Sequence, residues 1–217
     1  MADEFEDSFE EDLGERLPVD AMTDELAGID RARVGVLISG RGSNMESLIA
    51  AADDPACPYQ IVVVGSNVPE APGLALAQSY GIPTFAQSHK GMKRADFDQW
   101  VDAELRAADV EWVALAGYMR ILSSEFVDGW AGRMVNIHPS LLPAYKGVDT
   151  HARAIAAGES KAGCSVHIVT AELDDGPVLA QSEVPILAGD TADTLAARVL
   201  VEEHRLYPAA LGQLIRG

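Results

Sequence analysis

The stretch that decides the fold is residues 34–52: an apolar run, VGVLI (34–38), a turn, SGRGSN (39–44), and the segment MESLIAAA (45–52). A short apolar run bounded by turn residues is typical of a buried strand, and the segment after the turn has the apolar spacing of a helix. Together they predict one strand–turn–helix unit. Glycines let backbone N–H groups approach an anion closely, and the start of a helix favours negative charge. The turn is therefore a candidate phosphate site.

The turn alone does not identify a ligand. The dinucleotide-binding fingerprint needs a third glycine where this chain has Met45, and the Walker A pattern needs a Gly-Lys-Ser/Thr sequence that does not follow. Ser43 or Asn44 can also cap the helix with its side chain. A phosphate site and a plain turn between a strand and a helix both stay open on these residues.

Further strand and helix patterns follow along the chain. Strands are predicted at 61–65, 82–85, 112–116 and 134–137, and helices at 74–81, 92–108 and 191–213, the last interrupted or ended by Pro208. This alternation predicts an α/β fold with a doubly wound, mostly parallel sheet. The runs at 164–170 and 178–183 are separated by the short loop AELDDGP, which predicts an antiparallel excursion near the C-terminal part.

The charge of the chain is unevenly spread. The 217 residues include 16 Lys and Arg against 34 Asp and Glu, a formal net charge of −18. Residues 1–30 contain twelve of the acidic residues and one arginine, a net charge of −11. Such a segment is too polar to bury a core. We therefore expect residues 1–32 to be a mobile acidic extension and residues 33–217 to form one domain.

Composition also excludes several classes of protein. An acidic chain with no basic stripe is a poor candidate for binding nucleic acid. No apolar run approaches the length of a membrane span. Cys57 and Cys164 are too few for a disulfide framework, which favours a reduced, cytoplasmic protein. No pair of histidines has the spacing of a zinc site, so no metal is expected.

The segment NIHPSLLP (136–143) carries candidate catalytic groups. Alternation along a strand places Asn136 and His138 on the same side, and Pro139 ends the strand directly after the histidine. In open α/β sheets ligands bind at such carboxyl ends. An Asn can donate to a developing oxyanion, and a His can act as acid or base near neutral pH. A structural strand end, with both side chains bonded to backbone, stays open as the alternative.

The segment LDDGP (173–177) is a turn by composition, and most aspartates in turns bond only their own backbone. A carboxylate beside His138 would fix the tautomer of its ring and raise its pKa. The turn by itself does not indicate whether Asp174 or Asp175 takes that place.

Together these segments resemble the folate-dependent formyltransferases. The resemblance runs from Arg33 almost to Gly217, and its most specific stretches are VLISGRGSNMESLI, LAGYMRILSSEFV, GRMVNIHPSLLPAYKG, VHIVTAELDDGPVLAQ and VEEHRLYP. The stretch NIHPSLLP is shared by the wider group, and the SGxGSN turn points to the branch that acts on a glycinamide ribonucleotide. The resemblance implies a Rossmann-like formyltransferase fold for residues 33–217.

The activity that the resemblance implies is transfer of the formyl group of 10-formyltetrahydrofolate, a cosubstrate, to the amine of 5-phosphoribosylglycinamide in de novo purine biosynthesis. It implies small-molecule partners, no metal, no nucleic acid and no membrane, and it is compatible with a homodimer. The alternatives are another folate formyl-handling enzyme, such as a formyltetrahydrofolate hydrolase or another formyltransferase, and a non-catalytic nucleotide-binding module.

The resemblance also implies the catalytic residues. The family's catalytic trio falls on Asn136, His138 and Asp174. The carboxylate is assigned to Asp174 rather than to Asp175 because the family pattern reads Leu-Asp-x-Gly-Pro. Charge developing on the formyl oxygen would be met by donors from Asn136 and a protonated His138.

Two further groups of residues would bind the substrates. Those that would hold the 5′-phosphate and the glycinamide or ribose are Gly42, Ser43, Asn44 and Glu203. The folate site would be lined by Arg94, Met119, Arg120, Ile121, Leu122 and Asn136. Loop 170–174 would close over the pteridine. The chain departs from the family pattern at Asp149, where a His is common, and at Leu200, where some relatives have a polar residue.

Overall fold

The computed structural model describes residues 30–217, so the expectation for residues 1–32 lies almost wholly outside the described residues. The strands of the described part are β1 (Ala32–Ile38), β2 (Tyr59–Ser66), β3 (Thr84–Ala86), β4 (Trp112–Leu115), β5 (Met134–His138), β6 (Lys161–Ile168) and β7 (Val178–Pro185). Its helices are α1 (Ser43–Ala52), α2 (Pro72–Ser79), α3 (Arg94–Ala107), α4 (Ser124–Gly129), α5 (Thr150–Ala156) and α6 (Ala192–Arg216).

The strands pair into one sheet in the order β3-β2-β1-β4-β5-β6-β7. Strands β1 to β5 pair in parallel, whereas β6 pairs antiparallel with both β5 and β7. The predicted doubly wound, mostly parallel sheet with an antiparallel excursion is confirmed. Strand order reverses between β1 and β4, and sheets of this type bind ligands beside the carboxyl ends of the strands at that point.

The sheet is covered by helices on both faces because its central strands are apolar on both sides. In β1 the side chains of Val36 and Ile38 pack into one buried cluster with α1, α2 and α6. Leu37, between them, packs into a second cluster with α3 and α4. This alternation is the period of two that a strand imposes. A strand buried on both faces has a continuous apolar sequence, which explains the clear signal at residues 34–38.

The last helix differs from its prediction. The sequence predicted that Pro208 would interrupt or end it, but α6 continues through this residue to its end eight positions later. A proline inside a helix costs roughly 3 kcal/mol because it removes a backbone donor and crowds the preceding turn. Tyr207 and Leu211 on either side are fully buried, and the Tyr207 hydroxyl lies 2.9 Å from the carbonyl oxygen of Leu115. This packing against the sheet offsets the effect of the proline.

The sequence patterns missed the two short helices. Helices α4 and α5 have six and seven residues, too few to display a helical period. The start of α4 is fixed by Ser123, whose side chain accepts a hydrogen bond from the backbone N–H of Phe126. Among the helices of residues 30–217, none combines the length and the apolar character that crossing a bilayer requires.

Candidate active site

Most of the predicted site residues lie around the carboxyl end of β5: in the turn after β1, in the segment after β4, in β5 itself and in the loop between β6 and β7. Arg94 and Glu203 lie on the helices α3 and α6. The turn after β1, the segment after β4 and the loop after β5 follow parallel strands, so they share the carboxyl edge of the sheet. The loop between β6 and β7 follows an antiparallel strand, and it reaches the same place by folding back toward β5. Its Asp174 carboxylate lies 3.4 Å from Nδ1 of His138, the last residue of that strand.

The turn after β1 presents backbone donors that no side chain caps. Helix α1 begins at Ser43, and Gly42 before it has a left-handed φ of 79°. Neither Ser43 nor Asn44 caps the helix, so the capping alternative is wrong. The N–H groups of a first helical turn lack partners within the helix and attract anions. A Cβ on Gly42 would lie 3.1 Å from the Cα of Gly73, so a side chain at this left-handed position would be both crowded and strained.

Glu203 of α6 lies against this turn. Its Oε2 accepts a hydrogen bond of 2.7 Å from Nδ2 of Asn44, which is 159 positions earlier in the chain. Burial raises the pKa of the Glu203 carboxyl, and the hydrogen bond from Asn44 opposes that rise. Because a carboxylate oxygen only accepts, the amide nitrogen of Asn44 must face it. The structure thus brings together all four residues predicted to bind the ribonucleotide.

His167 of β6 orients the Asn136 amide. The antiparallel register pairs the two residues, and Nδ2 of Asn136 lies 3.1 Å from Nε2 of His167. Nδ1 of His167 lies 2.9 Å from the carbonyl oxygen of Ile168, which can only accept, so Nδ1 carries a hydrogen. Burial lowers the pKa of His167, which favours the neutral ring. Its Nε2 therefore accepts from Asn136 and leaves the second amide hydrogen free.

The sequence did not single out His167 as a site residue. Its alternation within the run CSVHIVT indicated only a strand. The pairing with Asn136 depends on the register of β6 against β5, and no local pattern encodes that register.

His138 is buried, and both of its ring nitrogens face oxygen atoms. Nε2 lies 3.0 Å from the carbonyl oxygen of Tyr145, and Nδ1 lies 3.4 Å from Oδ2 of Asp174. A carbonyl and a carboxylate both accept hydrogen bonds, and the doubly protonated imidazole can donate to both. The two contacts hold the ring in one orientation.

The two aspartates of the LDDGP turn lie in different surroundings. Asp174 is buried, and its Oδ2 also accepts a 2.9 Å hydrogen bond from the backbone N–H of Gly147. Asp175 is exposed and forms an ion pair with Lys146. A Cβ at Gly176 would lie 1.8 Å from the carbonyl oxygen of Ile168, so this tight turn requires glycine there. The fold therefore directs the first aspartate, and not the second, toward the histidines.

The residues predicted to bind folate are more open. Met119 and Ile121 are 71% and 54% exposed, and Leu122 is half-buried. Arg94 is exposed at the start of α3. The guanidinium of Arg120 points inward, with Nε 3.8 Å from a carboxylate oxygen of Asp98 and Cζ 4.9 Å from the ring centre of Phe97. Arg120 can thus offer a ligand its backbone rather than its charge.

The two departures from the family pattern lie at the start of α5 and within α6. Asp149 is exposed, has a left-handed φ of 57° and makes no side-chain cap for α5. Leu200 is half-buried on α6. Within residues 30–217, no group of three or more His, Cys, Asp or Glu side chains is placed to hold a metal ion.

Comparison with known protein families identifies the chain. Residues 32–211 match the formyl transferase family. The chain belongs to this family. The match includes every strand of the sheet and all of the predicted site residues.

Individual members of the formyl transferase family are similar over most of the chain. The phosphoribosylglycinamide formyltransferase of Escherichia coli (strain K12) is 43% identical over 185 residues, which are 84% of this chain and 86% of that protein. The human trifunctional purine biosynthetic protein adenosine-3 is 45% identical over 188 residues, which are 86% of this chain and 19% of that protein. The chain thus spans about a fifth of the length of the trifunctional relatives.

Solved structures of family members have the same fold. The phosphoribosylglycinamide formyltransferase of Brucella melitensis is 50% identical, with a TM-score of 0.83 and coverage of 87% of this chain and 97% of that one. Glycinamide ribonucleotide transformylase 1 of Symbiobacterium toebii is 39% identical, with a TM-score of 0.84 and coverage of 86% and 89%. The Rossmann-like formyltransferase fold and the resemblance drawn from the motifs are both confirmed.

Proposed function

We propose that the chain transfers the formyl group of 10-formyltetrahydrofolate to the amine of 5-phosphoribosylglycinamide, giving formylglycinamide ribonucleotide and tetrahydrofolate in purine biosynthesis. The observation that carries the proposal is the cluster of Asn136, His138 and Asp174. It lies at the carboxyl edge of the sheet, which also carries a turn with uncapped backbone donors. Family membership supports formyl transfer from a folate. The names of the relatives support glycinamide ribonucleotide as the acceptor.

The turn after β1 would bind the phosphate of the ribonucleotide. The backbone N–H groups of Gly42, Ser43 and Asn44 supply donors, and the start of α1 supplies a favourable dipole. Glu203, held beside the turn by Asn44, would accept hydrogen bonds from the ribose or the glycinamide. These local groups act against a net charge of −18, so the anion must be held at short range.

The reaction needs no protein nucleophile. The amine nitrogen forms a bond to the formyl carbon, and the bond from that carbon to N10 of the folate breaks. One proton leaves the amine and one reaches N10. Negative charge develops on the formyl oxygen, where Asn136 and His138 donate hydrogen bonds; losing one such donor costs about 10²- to 10³-fold in rate. Asp174 stabilises the imidazolium and, through water, helps to move the proton.

The folate would lie against residues 119–122 and Arg94, with loop 170–174 closing over its pteridine ring. Exposed Met119 and Ile121 supply apolar surface beside backbone groups, a combination that suits a flat ring with polar edges. In this structure Nε2 of His138 lies 3.0 Å from the carbonyl oxygen of Tyr145. Binding of the formyl group requires this hydrogen bond to be replaced by one from His138 to the formyl oxygen.

Three predictions about the wider context stay predictions: a cytoplasmic location, the absence of nucleic-acid and membrane partners, and compatibility with a homodimer.

One assay tests the proposed function. The protein is mixed with 10-formyltetrahydrofolate, and release of tetrahydrofolate is followed with and without 5-phosphoribosylglycinamide. We expect release to depend on the ribonucleotide and to yield its formylated form. Release without the ribonucleotide would indicate a hydrolase, and release in neither mixture would overturn the proposal and favour a non-catalytic nucleotide-binding module.

A further inference from the structure

Residues 118–122 form an irregular connection between β4 and α4, and very little holds their backbone. Among the described residues, the backbone of these five positions makes one hydrogen bond, from the N–H of Met119 to Oγ of Ser39 at 2.7 Å. The remaining backbone groups of the segment make no hydrogen bond within residues 30–217. A segment with so few internal bonds needs other contacts to keep one shape.

Ser39 extends the pairing of β1 and β4 beyond their ends. The ladder ends with the N–H of Ser39 donating to the carbonyl oxygen of Gly117 at 3.2 Å. The Ser39 hydroxyl then lies 2.5 Å from Oδ1 of Asn67, to which it donates its single hydrogen. Its lone pairs are left facing the N–H of Met119. The hydroxyl therefore adds one further connection between the two strands, at the point where residues 118–122 begin.

Asp98 of α3 holds the other end of the segment. Its side chain is 1% exposed, and its Oδ2 accepts a 2.6 Å hydrogen bond from the backbone N–H of Ser123. Its Oδ1 lies 3.8 Å from Nε of Arg120, whose guanidinium also packs on the ring of Phe97. Burial and the charge of Asp98 raise the pKa of the Tyr118 phenol, so that group stays neutral beside the carboxylate.

We propose that Ser39 and Asp98 are positioning residues that hold residues 118–122 in the shape that binds folate. The proposal rests on the proposed function, which assigns the folate site to this segment. Neither residue belongs to the catalytic cluster around His138. Each acts through another group: Ser39 through the backbone of Met119, and Asp98 through Arg120 and the start of α4.

The test compares Asp98→Asn and Ser39→Ala with the unaltered chain. An Asn keeps the shape of Asp98 but loses the ion pair with Arg120. The hydrogen bond from the N–H of Ser123 also weakens, because a neutral amide accepts less strongly than a carboxylate. We therefore expect the KM for 10-formyltetrahydrofolate to rise about tenfold or more in Asp98→Asn. We expect a rise of about three- to tenfold in Ser39→Ala. The KM for the ribonucleotide should stay within about twofold in Asp98→Asn. In Ser39→Ala the KM for the folate should rise more than the KM for the ribonucleotide, and Ser39→Thr, which keeps the hydroxyl, should restore folate affinity.

The chain offers matched controls. Asp102 lies one turn further along α3 and pairs with Arg106 at 2.7 Å and with the indole N–H of Trp130 at 2.8 Å. Ser79, at the end of α2, donates to the carbonyl oxygen of Leu76 at 2.6 Å. Neither side chain bonds to residues 118–122, so Asp102→Asn and Ser79→Ala should leave the KM for the folate unchanged.

Binding of tetrahydrofolate by calorimetry, measured on the same variants, keeps the inference separate from the proposed function. Weaker tetrahydrofolate binding in Asp98→Asn and Ser39→Ala, with unchanged binding in both controls, supports the inference whether or not turnover is seen. Unchanged binding in both variants overturns it, as does an equal loss in the controls. If Asp98→Asn fails to fold, Ser39→Ala and its Thr rescue decide the matter. An unaltered chain without transferase activity overturns the proposed function instead.

Discussion

The two walls of the candidate site are built from different parts of the polypeptide. At the turn after β1 the backbone supplies the donors, and the key residue, Gly42, has no side chain. At the wall formed by β5 and β6 the side chains do the chemistry, and each has a fixed neighbour: His167 for Asn136, and Asp174 for His138. Substitutions should therefore act through shape at the first wall and through charge and hydrogen bonding at the second.

The two walls also differ in their buried titratable side chains. At the strand wall His138, His167 and Asp174 are all buried, so a change of charge on one of them is felt strongly by the others. At the turn the donors are backbone amides, whose charge does not change with pH, and a titratable side chain, Glu203 of α6, lies beside them. Each of the following substitutions tests one side of the comparison.

The largest effect is expected at the strand wall, from Asp174→Asn. The substitution keeps the shape but removes the charge that faces His138, and the rate should fall by roughly two orders of magnitude or more. Ligand affinities should change less, because the interaction is strongest when charge develops in the transition state. Asp175→Asn is the matched control and should stay within a few-fold of the unaltered chain. The measurement is turnover at saturating substrates; an inactive Asp175→Asn beside an active Asp174→Asn would reverse the assignment.

The next effect is expected at the turn, from Gly42→Ala. The added Cβ would lie 3.0 to 3.1 Å from Met45 and Gly73, and the left-handed backbone disfavours any side chain. Displacing the amides should raise the KM for the ribonucleotide about tenfold or more, and the KM for the folate should stay within about twofold.

Gly91→Ala is the control for this prediction. Gly91 also has a left-handed φ, of +80°, but no atom lies within 4 Å of the added Cβ. This variant bears the backbone strain without disturbing the turn, so its ribonucleotide KM should not change. If calorimetry detects an equal loss of affinity for the ribonucleotide and the folate in Gly42→Ala, the turn has a purely structural role.

A smaller effect is expected from His167→Asn. The amide nitrogen of the shorter side chain can take the place of Nδ1 of His167 and donate to the carbonyl oxygen of Ile168. The side chain cannot reach Asn136, which in the unaltered chain bonds to Nε2. The amide of Asn136 then loses its fixed orientation, and kcat should fall roughly tenfold with little change in either KM. His167→Gln places an amide oxygen nearer to the position of Nε2 and should retain more activity. Equal kcat values for the two variants would argue against this role.

The smallest effect is expected from Glu203→Gln, and it links the turn to α6. Because burial raises the pKa of Glu203, the folded chain keeps this proton at pH values where the unfolded chain releases it. The free energy of unfolding therefore falls as the pH rises from the pKa of Glu203 in the unfolded chain to its pKa in the folded chain. Above the folded-state pKa the whole of this loss of stability is present. Glu203→Gln should raise Tm by about 1–3 °C at neutral pH.

This gain should disappear near pH 4, below the unfolded pKa, because both states then carry the proton. The KM for the ribonucleotide should rise a few-fold in the same variant, since an amide accepts a hydrogen bond more weakly than a carboxylate. Melting curves from pH 4 to pH 8 check the stability, and initial rates check the KM. A variant that is less stable at neutral pH would contradict the account of Glu203.

Much of the fold could be predicted because its signals are local. The apolar run at residues 34–38 and its glycine turn identified the first unit, and the loop between residues 170 and 178 indicated an antiparallel pair. The prediction that Pro208 interrupts or ends the last helix was wrong. The destabilising effect of a proline can be read from the local sequence, whereas the packing that offsets it comes from strands far away in the sequence. Helices α4 and α5 were missed because short helices have no repeating pattern.

The sequence by itself determined the architecture, the family and the contiguous motifs, since strands, turns and helix starts depend on neighbours a few positions apart. Only the tertiary structure decided which nitrogen of His167 faces Asn136, that Asp174 is buried while Asp175 is exposed, and that Arg120 turns inward to Asp98. These contacts join residues 22 to 36 positions apart. They depend on strand register and on loop closure over the finished sheet, neither of which leaves a local pattern in the sequence.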